Sequence, residues 1–166
     1  MSDPGRSSEH LRSSPGSTMT YTAVVLSTLL VTVLANSITF KDCGSTGATI
    51  QSVNVEGCTA QPCHLIRGKN ATLLINYTST EDVSHPTNAI YGIIDGVQVK
   101  FPTEADCCAG KNLNCPIKTG SSSQYTNSIF VANSYPKLTL VVKMSVLDDN
   151  KKDFMCVVFP AVIADS

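Results

Sequence analysis

The sequence predicts an all-β domain, and three observations support this. Beyond residue 38 the apolar residues occur in short runs separated by turn-forming residues, and no long stretch has a helical period. The runs are rich in β-branched and aromatic residues, as strands are. Charged residues make up only 15% of the chain, so the surface must be built largely from Ser, Thr, Asn and Gly, a composition that favours strands and turns.

Seven strands are predicted in chain order. They cover residues 48–55, 71–78, 89–95, 97–101, 128–132, 137–146 and 154–163. Seven short antiparallel strands in about 130 residues favour an immunoglobulin-like β-sandwich of two antiparallel sheets, with a closed barrel as the alternative. The tryptophan of antibody domains is absent, because the chain contains no Trp.

The sixth run has the clearest strand pattern. Its apolar residues Leu138, Leu140, Val142 and Met144 share one face, which is typical of a sheet with one buried side. The acidic segment 147–153 after it is predicted to be the turn of a hairpin. A calcium loop is the alternative, but its ligand spacing and central glycine are missing.

The N-terminal residues 1–37 are predicted to be a disordered segment followed by a cleaved secretory signal peptide, with one domain over residues 38–166. Residues 2–17 are polar and have almost nothing to bury. Residues 21–35 are apolar but fall short of the roughly 20 residues that cross a bilayer, and the small Ala35 and Ser37 suit a cleavage site. An uncleaved anchor is the alternative, and Met19 is an alternative start.

All seven cysteines lie beyond the apolar segment, where an oxidising compartment makes disulfides the default. Cys58 and Cys63 have His64 beside them, but a second pair of ligands at zinc-finger distance is missing. A thioredoxin-type centre would need a C-x-x-C spacing and a helix. We therefore predict a short structural disulfide between Cys58 and Cys63, and no metal site.

Two further features bear on function. Asn70 and Asn76 begin N-glycosylation sequons, in agreement with secretion. The net charge of −1 and the scattered lysines argue against a nucleic-acid partner. His64 and His85 are the only histidines beyond the N-terminal segment, and no nucleophile elbow or framed carboxylate pair is present, so neither an enzyme nor a bound cofactor is predicted.

Six blocks of sequence occur in the order and at the spacings of the ML-domain lipid-recognition family. They are FKDCG (40–44), VNVEGCTAQPC (53–63), GVQVKFP (96–102), NCPI (114–117), SYPKLTLVV (134–142), and DFMC followed by FPAVI (153–163). From residue 38 to the C-terminus the chain resembles that family. The resemblance implies a sandwich whose sheets part at one end to leave an apolar cavity.

The family's disulfide plan implies two further bridges. Cys43 matches the partner of Cys156, which would tie the first strand to the last. Cys115 pairs with an upstream cysteine, and here the chain has two neighbours, Cys107 and Cys108, where the family has one. Cys108 fits the register better, so Cys107 is expected to be the odd thiol, either as a buried spare or as an intermolecular bridge.

The resemblance also implies the lipid-binding residues. Val55, Phe101, Val131, Tyr135 and Pro136 match the family's sterol-contacting positions. Strand alternation adds residues whose side chains point inward and for which plain core packing is the alternative: Leu73, Ile75, Tyr77, Val142 and Met144. Where the family's sterol carriers have tryptophans, this chain has Met144 and Val157, so the cavity is expected to differ in shape.

The implied function is that of a monomeric, secreted or lysosomal carrier that binds a sterol reversibly and passes it between membranes or to a membrane partner. The segment 93–102 lies in the region that meets membranes and the acceptor protein in the family's sterol carriers. Its contact residues would be Ile94, Val97, Val99 and Lys100. The alternatives are another lipid, and a recognition protein of innate-immunity type that binds a microbial glycolipid and presents it to a receptor.

Overall fold

The computed structural model describes residues 37–108 and 113–166, so the predicted N-terminal segment and signal peptide lie outside the described residues up to position 36. The described chain forms nine strands: β1 (Lys41–Asp42), β2 (Ala48–Val55), β3 (Cys63–Ile66), β4 (Asn70–Ser79), β5 (Thr87–Ile94), β6 (Val97–Lys100), β7 (Ser122–Phe130), β8 (Thr139–Leu147) and β9 (Asp153–Ala164). Within these residues no helix is long and apolar enough to span a bilayer.

The strands form two sheets. The larger sheet has the order β1-β9-β8-β5-β6, with β3 added alongside β9, and the smaller sheet has the order β2-β4-β7. This arrangement confirms the predicted all-β immunoglobulin-like sandwich over the closed barrel. All pairings are antiparallel except that of β3 with β9, which is parallel and which the sequence did not predict.

The predicted strands agree with the structure to different degrees. β2 has the predicted bounds, whereas the predicted strand 128–132 was wrong in extent, because β7 starts at Ser122. The first residues of β7 are Ser, Ser and Gln, which carry no apolar signal, yet they continue the pairing with β4. β1 and β3, of two and four residues, were not predicted.

The interior between the sheets is densely filled at one end. The largest fully buried side chains include Tyr77, Tyr125, Phe154 and Met144. The rings of Tyr77 and Phe154 meet edge to face with centroids 5.8 Å apart, a favoured geometry for aromatic pairs. We call this part of the sandwich, around Tyr77, Tyr125 and Phe154, the filled end.

The predicted hairpin turn over residues 147–153 joins β8 to β9 next to Phe154 of the filled end. Asp148 Oδ1 accepts hydrogen bonds from the amides of Asn150 and Lys152, both at 2.8 Å, and Lys151 has a φ of 64°. An aspartate that accepts its own turn's amides is typical of a tight turn. The acidic segment is therefore a structural turn.

Three disulfides join the pairs Cys43 with Cys156, Cys58 with Cys63, and Cys108 with Cys115. These are the pairs that the sequence and the family resemblance implied. Cys107 takes part in none of the three and is buried, with its sulfur 4.0 Å from the Tyr125 hydroxyl oxygen. Its burial agrees with a spare thiol rather than an exposed group for an intermolecular bridge.

Candidate functional site

An apolar slit lies between the two sheets at the end opposite the filled end. The smaller sheet supplies Val55, Leu73 and Ile129 to its walls, and the larger sheet supplies Ile90, Val142 and Phe159. These side chains meet because each occupies an inward-facing position of its strand, as the two-residue period requires. A space with walls of this kind favours an apolar ligand.

The slit is narrow. The space between its lining atoms, including the opening, is about 510 Å³, but the part that the centre of a water molecule can occupy is only about 30 Å³. That room holds about one or two water molecules. A larger guest therefore enters only if the sheets or the lining side chains move apart.

The mouth of the slit is formed by Phe101, Phe130 and Tyr135. Phe130 is 57% exposed, and Phe101 and Tyr135 are half-buried, whereas most of the wall residues are buried. The rings of Phe101 and Tyr135 lie 5.6 Å apart between centroids and are tilted by 49°. An aromatic pair that touches across an opening can close it without a covalent tie.

Gly92 in β5 sets the position of the Phe101 ring. A Cβ atom on Gly92 would lie 2.8 Å from Leu140 Cδ1 and 3.1 Å from Phe101 Cε2, closer than side-chain carbons normally approach. The Phe101 amide donates to the carbonyl oxygen of Ile90 at 2.8 Å, which fixes the backbone beside the ring. The missing side chain thus lets Phe101 lie directly on β5 at the mouth.

The structure brings six of the ten predicted lipid-binding residues to the slit. They are Val55, Leu73, Phe101, Val131, Tyr135 and Val142. Since no ligand is present, their contact with a lipid stays a prediction.

The other four predicted residues lie outside the lining. Ile75 and Tyr77 are two and four positions beyond Leu73 on β4, which places Tyr77 about 13 Å farther toward the filled end. Met144 is fully buried on β8, and Pro136 is exposed in the loop between β7 and β8. The two-residue alternation correctly placed Ile75, Tyr77 and Met144 on the inward faces of their strands. It does not show how far along the sandwich each side chain lies.

Sequence reasoning missed several lining residues. Phe159 and Ile163 lie on β9 and could have been found from the alternation in the predicted strand 154–163. Leu65 was missed with its strand β3. Phe130 lies within the predicted strand 128–132, but alternation puts it on the face opposite to Ile129 and Val131, so it was missed.

The predicted membrane-contact residues lie beside the mouth. Val97 is 64% exposed and Val99 48%, both on the edge strand β6, which leads directly to Phe101. Lys100 is exposed as well, while Ile94 is half-buried and packs on the core. Their contact with a bilayer stays a prediction.

Both sequon asparagines are exposed on β4. Asn76 lies on the outer face of the smaller sheet, where its Nδ2 donates to Ser52 Oγ at 2.9 Å and its Oδ1 accepts from Gln124 Nε2 at 3.1 Å. Asn70 is the first residue of the strand. Their glycosylation stays a prediction.

Between the slit and the filled end, the interior contains two polar side chains that bond to each other, Asn127 and Tyr125. Asn127 Nδ2 donates to the Tyr125 hydroxyl at 2.8 Å, and burial raises the pKa of Tyr125 far above its ordinary value. In residues 37–108 and 113–166 no three His, Cys, Asp or Glu side chains are grouped to hold a metal ion. The chemistry that the slit offers is therefore the burial of apolar surface.

A two-sheet sandwich with a narrow apolar slit between its sheets at one end is the architecture expected of the family that the sequence motifs resemble. The chain belongs to the ML-domain family, whose model matches residues 37–163. It is 36% identical to the mouse NPC intracellular cholesterol transporter 2 over 141 residues, covering 84% of this chain and 94% of that protein. It is 38% identical to the ecdysteroid-regulated 16 kDa protein of Manduca sexta over 143 residues, covering 84% and 97%.

A solved structure gives the same picture. The Niemann-Pick type C2 protein of the Japanese carpenter ant superposes with a TM-score of 0.71 at 25% identity, covering 76% of this chain and all of that chain. The family that the sequence motifs resembled is thereby confirmed.

Proposed function

We propose that this protein is a secreted lipid carrier that binds a sterol reversibly in the slit and passes it between membranes or to a membrane acceptor. The single observation that carries the proposal is the almost entirely apolar slit with a half-exposed aromatic mouth formed by Phe101, Phe130 and Tyr135. Mouse NPC intracellular cholesterol transporter 2, a relative that this chain matches along nearly its whole length, supports a sterol as the ligand.

The energetics favour such binding. A sterol is apolar apart from one hydroxyl, and burying about 300 Å² of it supplies roughly 7 kcal/mol before the costs of association. Parting the sheets breaks contacts among apolar side chains, and the lipid replaces these contacts with similar ones. The walls are almost entirely apolar, so opening the slit exposes few polar groups.

Delivery would use the surface beside the mouth. Val97 and Val99 would enter the outer layer of a bilayer while Lys100 meets anionic headgroups. This places the mouth against the membrane, so a sterol need not cross water. Secretion through the predicted signal peptide, glycans on Asn70 and Asn76, and delivery to an endosomal or lysosomal lumen complete the proposal.

The ligand is tested by extracting lipids from protein purified from its native source and identifying them by mass spectrometry. A sterol in near one-to-one amount supports the carrier. A microbial glycolipid would favour the recognition protein instead, and a protein that carries no lipid and takes up none from vesicles would contradict both.

The location is tested with two valine substitutions of equal size. Val131→Phe fills the slit and should weaken binding of a fluorescent sterol at least about tenfold. Val141→Phe adds the same ring on the outer face of β8, next to the slit residue Val142, and should leave binding unchanged. Unchanged binding by folded Val131→Phe would contradict the site; thermal unfolding of both variants reports folding.

A further inference from the structure

The loop between β7 and β8, residues 131–138, forms one side of the mouth and carries Val131 and Tyr135. Its two ends are fixed by backbone hydrogen bonds. At the first end the Gly68 amide donates to the Val131 carbonyl oxygen at 2.7 Å and the Val131 amide donates to that of Lys69 at 2.9 Å. At the other end the Ile163 amide donates to the Leu138 carbonyl oxygen at 2.9 Å.

The middle of this loop is held by the side chain of Arg67, which follows β3. Its Nη1 donates to the carbonyl oxygens of Asn133 at 3.3 Å and Tyr135 at 3.2 Å. Asn133 also packs closely on the β3–β4 turn, since a Cβ on Gly68 would lie 2.8 Å from its Oδ1. The loop therefore meets the turn through side chain and backbone at once.

Arg67 is itself fixed by the last residues of the chain. Its Nε donates to Asp165 Oδ1 at 2.7 Å, and its Nη2 forms an ion pair with the same carboxylate. The Arg67 amide donates to the Ala164 carbonyl oxygen at 2.9 Å, and Lys137 Nζ lies 3.2 Å from Asp165 Oδ2. One guanidinium thus joins the β3–β4 turn, the mouth loop and the end of β9.

In this conformation the slit is too narrow to admit a sterol. Only about 30 Å³ of the slit admits water centres, so a sterol can enter or leave only when the mouth widens. Val131 and Tyr135 are carried by the loop that Arg67 holds. Phe101 directly follows the edge strand β6, and its amide is bonded to the Ile90 carbonyl oxygen of β5. The loop is the side of the mouth that can move at lower cost, because loops open locally more easily than paired strands.

We propose that Arg67 is a positioning residue that holds the mouth loop closed through the carbonyl oxygens of Asn133 and Tyr135, and that this contact sets the rate of lipid entry and exit. The inference rests on the proposed function for its ligand. Arg67 does not line the slit and does not touch the lipid. It acts through the backbone that presents Tyr135 to the Phe101 ring.

The ion pair between Arg67 and Asp165 is expected to affect the position of the mouth loop more than the overall stability of the fold. The side chains of Arg67 and Asp165 are 25% and 52% exposed, and ion pairs at such surfaces contribute little to overall folding. Hydrogen bonds from Arg67 and Lys137 hold the pKa of Asp165 below its ordinary value of 3.8, so its carboxylate stays charged at pH 5. The ion pair between Arg67 and Asp165 therefore persists in an acidic lumen.

The test is the rate at which a bound fluorescent sterol leaves the full chain for phosphatidylcholine vesicles. Arg67→Ala should speed release and uptake by roughly three- to tenfold while changing the equilibrium dissociation constant less than about twofold, because the loop closes over both the empty and the filled slit. Arg67→Lys should give an intermediate rate, since an ammonium lacks the planar fork that reaches the carboxylate and two carbonyls together.

The control is Lys118→Ala, which removes another exposed ion pair, that with Asp82 at 2.9 Å, away from the slit. It should leave both rates unchanged. Equal release rates for Arg67→Ala and the unmodified chain would overturn the proposal. A fall in affinity with no change in release rate would overturn it as well, since it would mark Arg67 as part of the binding site.

A second measurement needs no lipid. In the ligand-free chain, amide hydrogen exchange of residues 131–138 should be faster in Arg67→Ala by a similar factor, while exchange in β8 stays the same. Unchanged exchange in the loop would contradict the gate even if the chain binds no sterol. Faster exchange in a chain that binds no sterol would instead support the held loop and contradict the proposed function.

Discussion

The two ends of the sandwich are built from the same strands but packed in different ways. At the filled end, Tyr77 and Phe154 meet edge to face and are fully buried. At the mouth, Phe101 and Tyr135 also touch, but both are half-buried and border a slit. The buried rings at the filled end hold the two sheets together, whereas the mouth is closed by the contact between two half-buried rings.

The disulfides follow the same division. Cys43–Cys156 lies near the β8–β9 hairpin at the filled end and has a sequence separation of 113, whereas Cys58–Cys63 lies beside β3 at the slit end and has a separation of 5. The chain-entropy model gives a long loop a larger effect on the unfolded chain. The disulfide with the larger expected stabilisation is therefore Cys43–Cys156, which lies at the filled end and away from the slit.

The largest expected effect comes from removing these two disulfides in turn. Replacing Cys43 and Cys156 by Ser should lower the free energy of unfolding by about 5 kcal/mol, and replacing Cys58 and Cys63 by Ser should lower it by about 2 kcal/mol. Urea unfolding of the two double variants measures the difference. Equal losses would show that the entropic account of the two ends is wrong.

A matched pair of phenylalanines on β9 sharpens the comparison. Phe154→Ala empties the filled end and should cost about 3 to 5 kcal/mol, with sterol affinity retained by the folded protein. Phe159→Ala removes a wall of the slit and should cost about 1 to 2 kcal/mol less, because that ring already faces space on one side. Phe159→Ala should also change sterol affinity. A change of sterol affinity in Phe154→Ala but not in Phe159→Ala would contradict these roles of the two ends.

The smallest stability effect is expected at Gly92. Gly92→Ala places a Cβ against the Phe101 ring and Leu140, so the ring must shift at the mouth. We expect a loss of about 1 to 2 kcal/mol in unfolding free energy and a weaker binding of sterol by several-fold. A variant with lower stability but unchanged sterol affinity would show that the ring position at the mouth does not matter for binding.

The sandwich is predicted well because each strand leaves a pattern of residue types within a short segment of the sequence. β2 follows from its β-branched residues, and the inward face of β8 follows from alternating apolar residues. The register between β4 and β7 does not, because Ser122 and Gln124 take part in that pairing without an apolar pattern of their own. The parallel pairing of β3 with β9 likewise depends on a contact between residues about 98 positions apart.

The slit was predicted less completely than the fold. Alternation places Leu73, Ile75 and Tyr77 on one face of β4, but only the packing of both sheets decides that Leu73 borders the slit and Tyr77 the filled end. The family resemblance supplied Phe101, Val131 and Tyr135. Arg67 could not be found from either source, because its importance arises from backbone carbonyl groups, which every residue has.

The most direct test of the account is photoaffinity labelling with a sterol that carries a diazirine, followed by mapping of the labelled peptides. Labelling should saturate at one sterol per chain and concentrate on peptides with slit residues such as Leu73, Val131 and Val142. Label that instead collects on the exposed edge strand β6 around Val97 and Val99, or fails to saturate, would contradict a lipid site between the sheets.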